Sequence, residues 1–185
     1  MRLFVGIELN DEARAVLSAA RAFWEKSAKA RFSDEALYHL TLVFIGNVDE
    51  ERLPALKKTL SRVKWSPFSF TTGAPDTFAK GILFAGVQEP CEGLFALQNA
   101  VAEALREDGW AFEDRPYRPH ITLARQAKQT GIPPQIAPAR VPVKRFALFE
   151  SARVDGKLCY TPIARWEANS GPSTGRAITG KEARG

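Results

Sequence analysis

The chain has 185 residues, 45% hydrophobic and 25% charged, the composition of one globular domain or of two small interlocked lobes, long enough to bury a core. No apolar run approaches the roughly 18–20 residues of a membrane span. The opening MRLFVGIELNDEAR has a short apolar run broken by Glu8 and no small-residue cleavage site, so it reads as a first strand rather than a signal peptide; the expected location is cytoplasmic, with no membrane partner. The formal charge of +5 suits an anionic partner such as nucleic acid, while Cys91 and Cys159 are too few for a disulfide framework and lack metal-ligand spacing.

RLFVGIEL (2–9) reads as a strand, and NDEARAVLSAARAFWEKSAK follows with helical spacing behind an Asn/Asp start that can cap it. YHLTLVFIG (38–46) is the second strand. DEERLPALKKTLSRV (49–63) is helical, with Pro54 delaying or kinking its start. PFSFTTGA and DTFAKGILFAGV read as two strands joined by a turn at Gly73-Ala74-Pro75-Asp76. CEGLFALQNAVAEALREDG (91–109) is the clearest helix, with Leu94, Leu97, Val101, Ala104 and Leu105 on one face and Gly109 at its end. RPYRPHITLAR is a strand entered through prolines, GIPPQIAPARVP an extended loop, and VKRFALFES with KLCYTPIARW the last hairpin, turning at Asp155-Gly156.

The order β-α-β-α-β-β-α-β-β-β predicts an α+β fold of largely antiparallel sheet. YHLTLVFIG in the first half is echoed by PHITLAR in the second, each after a helix, which predicts two similar lobes within one domain over 1–167. Residues 168–185, rich in Gly, Ser and Thr, are expected to be a disordered tail.

The two histidines of the chain stand in the same pattern, His39-Leu40-Thr41-Leu42 and His120-Ile121-Thr122-Leu123. On a strand each histidine shares a face with its threonine, and the apolar residues between them point into the core. One such histidine is ordinary. Two are not: ten threonines in 185 residues make the double coincidence about a 0.3% event. Histidine titrates near neutrality, so one imidazole can act as general base while the other acts as general acid. The hydroxyls can hold an anion between them, and phosphoryl transfer fits because its charge sits on non-bridging oxygens. Zinc fits poorly, because there is no HExxH and no Cys/His cluster.

These residues resemble the two-histidine (2H) phosphoesterases, specifically the LigT-like RNA 2′,3′-cyclic phosphodiesterases. RLFVGIEL, HLTLVFIGNV and RPHITLAR carry the resemblance, and FALFES…Y extends it loosely. It implies two similar lobes of mainly antiparallel sheet with outer helices and an active-site cleft between them. It implies His39 as proton donor, His120 as proton acceptor, and Thr41, Thr122 and Arg125 as phosphate ligands, with no metal and no nucleotide cofactor. Strict strand alternation places Arg125 with Ile121 and Leu123 on the core face, so the strand must twist or end before it. Leu37-Tyr38 stands where the family leads one to expect Asn-Trp. Phe4 and Tyr117 are candidates to stack on the terminal base, and Lys80, Arg115 and Arg118 to line an RNA path. The expected substrates are RNA with 2′,3′-cyclic phosphate ends or small cyclic nucleotides, acted on by a monomer. The competing reading is a non-catalytic RNA-end binding protein on the same fold, which would have no need of a titrating pair.

Overall fold

The computed structural model describes residues 1–78, 81–128 and 137–168. Lys80, residues 131–136 of the expected loop and residues 169–185 of the expected tail lie outside them.

The chain opens with β1 (Arg2–Glu8) and α1 (Asp11–Ser27). The Asn10 side chain accepts the Ala13 N–H at the start of α1, and Ala13, Leu17, Ala20 and Trp24 form its buried stripe. A short β2 (Lys29–Phe32) leads through a 3₁₀ turn (Glu35–Leu37) into β3 (His39–Asn47). A second 3₁₀ turn, Glu50–Arg52, opens α2 (Leu53–Ser61), where Pro54 sits in the first turn and needs no hydrogen-bonded N–H. Then come β4 (Phe68–Phe78), β5 (Ile82–Val87), α3 (Glu92–Glu107), β6 (Ile121–Lys128), β7 (Arg140–Val143), β8 (Arg145–Val154) and β9 (Lys157–Glu167). Asp155 and Gly156 both have positive φ between β8 and β9, as a two-residue hairpin turn requires.

The strands form two sheets, ordered β3-β1-β8-β9 and β2-β6-β5-β4-β7, with antiparallel neighbours throughout. The α+β architecture with two antiparallel sheets is as expected from the sequence. Each sheet carries one motif strand, β3 in the first and β6 in the second. One core joins both sheets and the helices, and a second cluster (Phe4, Ala147, Phe149, with Phe44 and Tyr160 beside it) lies on the other face of the first sheet.

Three expectations need correction. The turn at Gly73–Asp76 is instead the middle of β4, which pairs with β7 over Phe68–Thr71 and with β5 from Thr72 onward. The register shifts between Thr72 and Pro75, and a side chain on Gly73 would meet the Gly86 and Val87 backbone at 3.2–3.3 Å, so the Gly-Ala-Pro run marks a bulge rather than a reversal. Residues 140–142, read as the end of an extended loop, belong instead to strand β7 (Arg140–Val143) at the edge of its sheet, where proline is tolerated. The four-residue edge strand β2, with alternate residues exposed, is too short and too polar to read as a strand.

Candidate active site

His39 opens β3, opposite Glu8 of β1. Its Nδ1 lies 2.7 Å from the Leu37 carbonyl and its Nε2 lies 2.9 Å from Thr41 Oγ1. A carbonyl only accepts, so Nδ1 carries the proton, and in the neutral ring Nε2 accepts from the Thr41 hydroxyl. The turn that supplies this carbonyl is clamped from α1. Arg14 donates to the Glu35 carbonyl at 2.7 Å, Ser18 to the Glu35 carboxylate at 2.7 Å and Arg21 to the Ser33 carbonyl at 2.9 Å. His120 immediately precedes β6 and repeats the geometry, its Nδ1 donating to the Arg118 carbonyl at 2.7 Å and leaving Nε2 for chemistry.

Aromatic rings wall both imidazoles. Phe4 lies 4.6 Å, Tyr160 4.9 Å and Phe149 6.2 Å from His39, centroid to centroid. Phe78 lies 5.0 Å and Phe84 5.9 Å from His120, and Arg118 lies over Phe78. This desolvation pushes the His39 pKa down to about 4 and holds that of His120 below the usual imidazole value. The carbonyl hydrogen bonds oppose the shift; nearby positive charge adds to it, from His120, Arg125 and Arg14 at His39 and from Arg115, Arg125 and Arg118 at His120.

The reach of Arg125 to both histidines follows from a bulge. On β5, Leu83 pairs with Ala124 and Phe84 with Thr122, so Leu123 is an extra residue. Leu123 and Ala124 are both fully buried, alternation restarts one residue late, and Arg125 returns to the face of Thr122. The first lobe has the same device. Gly6 pairs with Thr41 and Val5 with Val43, which makes Leu42 the extra residue and returns Phe44 to the face of Thr41. The two motif strands are therefore equivalent residue by residue, with Phe44 standing where the second lobe has Arg125.

The family model of the 2′-5′ RNA ligase superfamily matches residues 9–155 of this chain. The chain belongs to that superfamily. The RNA 2′,3′-cyclic phosphodiesterase of Escherichia coli (strain K12) is 31% identical over 89% of this chain and 95% of its own, and that of Thermus thermophilus is 35% identical over 90% and 89%. The crystal structure of E. coli LigT complexed with 3′-AMP superposes with a TM-score of 0.77 at 28% identity, covering 91% of this chain and 98% of that one. Among the described residues no helix is long and apolar enough to cross a membrane.

Within this superfamily member the remaining sequence candidates fall as follows. Thr41 and Thr122 are half-buried beside their histidines, and Arg125 is exposed. Phe4 is only 3% exposed, and its ring stacks on Phe149 at 4.9 Å, so it backs His39. The Tyr117 hydroxyl donates to the Thr41 carbonyl at 3.1 Å, which ties the segment before the second motif to the first motif strand. Tyr117→Phe is expected to lose about 1 kcal/mol of stability, read as a fall in Tm, because it leaves that carbonyl without its partner. Arg115 pairs with Glu113 at 3.3 Å. The sequence reading missed Phe78, Phe84, Phe149 and Tyr160, which ordinary strand composition does not set apart from core aromatics.

Proposed function

We propose that the protein hydrolyses 2′,3′-cyclic phosphate ends of RNA to 2′-phosphomonoesters by paired-histidine acid/base catalysis. The observation that carries this reading is the repeated geometry. Two imidazoles each donate Nδ1–H to the carbonyl two residues before, which leaves Nε2 as the basic nitrogen of both, each has a threonine two residues on, and the charges that weigh most on the two rings are positive. Such a site receives an anion and moves protons on both sides of it. The names of the relatives supply the class of anion.

Water attacks phosphorus as its proton passes to His120 Nε2, the P–O3′ bond breaks, and protonated His39 Nε2 gives its proton to O3′. Burial favours the neutral form of both imidazoles in the free protein, so the phosphate charge is what draws a proton onto His39. Once Nε2 carries that proton it donates, and the Thr41 hydroxyl turns to donate to a phosphate oxygen instead. Thr122 and Arg125 hold the oxygens from the second lobe. With an RNA 5′-hydroxyl in place of water, the same displacement breaks P–O3′ and joins the two ends through a 2′-5′ bond. No step needs a metal.

The test is an RNA oligonucleotide ending in a 2′,3′-cyclic phosphate, incubated with the protein in EDTA and its product identified. Metal-independent formation of the 2′-phosphate is expected. Tight stoichiometric binding without turnover would instead establish the RNA-end binder.

A further inference from the structure

The ladder between β2 and β6 places like charges directly opposite each other twice. Lys29 pairs with Lys128, and Arg31 pairs with Arg125. Like charges facing each other across an antiparallel ladder destabilise it. Among the described residues none of these four cations makes an ion pair with a carboxylate. All four are exposed, while Ala30 between the two β2 cations, Phe32 after them and Ala127 on β6 pack against the core. A second shift, between Lys29 and Arg31, sets two β6 residues, Gln126 and Ala127, against one on β2. Gln126 has φ 56, and Lys128 is thereby kept on the face of Arg125. Through the bulge at Leu123, that is also the face of Thr122. Two irregularities in one strand thus bring Thr122, Arg125 and Lys128 onto one surface, and the edge strand adds Lys29 and Arg31 beside them.

An uncompensated row of cations that begins at the phosphate-binding face fits a chain of phosphates. We propose that Lys29, Arg31 and Lys128 form a track for single-stranded RNA, holding the phosphodiesters on the 5′ side of the terminal nucleotide. The inference rests on the proposed reaction and adds how the chain behind the reacting end is held, which makes an oligonucleotide end a better substrate than a free cyclic mononucleotide. The contacts are to the sugar–phosphate backbone, so the track selects for chain length and not for sequence.

The test compares kcat/KM for an RNA octamer ending in a 2′,3′-cyclic phosphate with kcat/KM for a nucleoside 2′,3′-cyclic phosphate, in wild type, in Arg31→Ser and in Lys29→Ser/Lys128→Ser. The wild type is expected to prefer the octamer, and the preference to shrink as salt rises. Each variant is expected to lower the octamer-to-monomer ratio, by about tenfold in all when the three changes are combined. The slope of log kcat/KM for the octamer against log salt should flatten by about 0.7 for each cation removed, about 2 for three. Tm should hold or rise in the variants, because a like-charge contact is relieved. An unchanged ratio, or equal losses on both substrates, would overturn the track. Binding of a fluorescent RNA octamer with an ordinary 3′-hydroxyl reads the track without turnover. A protein inactive on both substrates but binding that octamer with the same salt slope would therefore refute the reaction and keep the track; loss of the slope in wild type would refute the track alone.

Discussion

Replacing His120 with alanine is expected to lower kcat on an RNA 2′,3′-cyclic phosphate by about 10²–10⁴, and replacing His39 by a similar factor. The two losses have different chemical causes. On the proposed mechanism, the attacking water keeps its proton without His120, and the 3′ oxygen departs as an alkoxide without His39. Neither imidazole is central to the core: each is held by one carbonyl and a wall of aromatic rings, so the variants should fold and the loss should appear in kcat rather than in the yield of native protein. Because the proton transfers belong to one reaction, the double variant should lose little more than the worse single one, and additive losses would show two independent contributions. Single-turnover rates on a cyclic-phosphate RNA make the comparison. A variant retaining full activity would leave a single general acid or base and remove the paired mechanism.

Both motifs were legible because the signal is chemical and periodic at once. A histidine and a threonine two positions apart share a strand face whatever surrounds them, and the pattern occurs twice. The position of Arg125 was not legible from alternation, which put it in the core. The structure resolves this with an extra residue at Leu123, and the same step occurs at Leu42. A trace of it is in the sequence: each motif threonine is followed by two consecutive apolar residues, Leu42-Val43 and Leu123-Ala124, where strict alternation allows one. A bulge costs local ladder bonds and is chosen by the partner strand, which is why one strand read alone does not reveal it. Strand β2 was invisible for a related reason. Lys-Ala-Arg-Phe has no apolar run, and its pairing with β6 joins residues almost a hundred positions apart. The aromatic walls come from five strands that only the finished sheets bring to the histidines.

Arg125→Met should do two things at once, and the pair of effects identifies its place. Removing a cationic donor from the phosphate is expected to cost about 10²–10³ in kcat/KM. The second effect is on pH. In the wild type both imidazoles titrate below the usual histidine value, so the bell of kcat/KM against pH, centred between the two macroscopic pKa values, should peak on the acid side of about 6.5. The Arg125 charge disfavours the imidazolium at both His39 and His120, so its removal raises both pKa values and moves both limbs, and the peak, toward higher pH. Arg125→Lys should bring the peak back down, since the charge returns, while recovering only part of the rate, since an ammonium does not reproduce the planar two-pronged hold on a phosphate. A loss of rate with no movement of the peak in Arg125→Met would place the guanidinium on the substrate but out of reach of the imidazoles. A moved peak with the rate intact would make it an electrostatic neighbour that never touches the phosphate. Only the combined result fits an arginine returned by the Leu123 bulge to the face that carries His120 and Thr122.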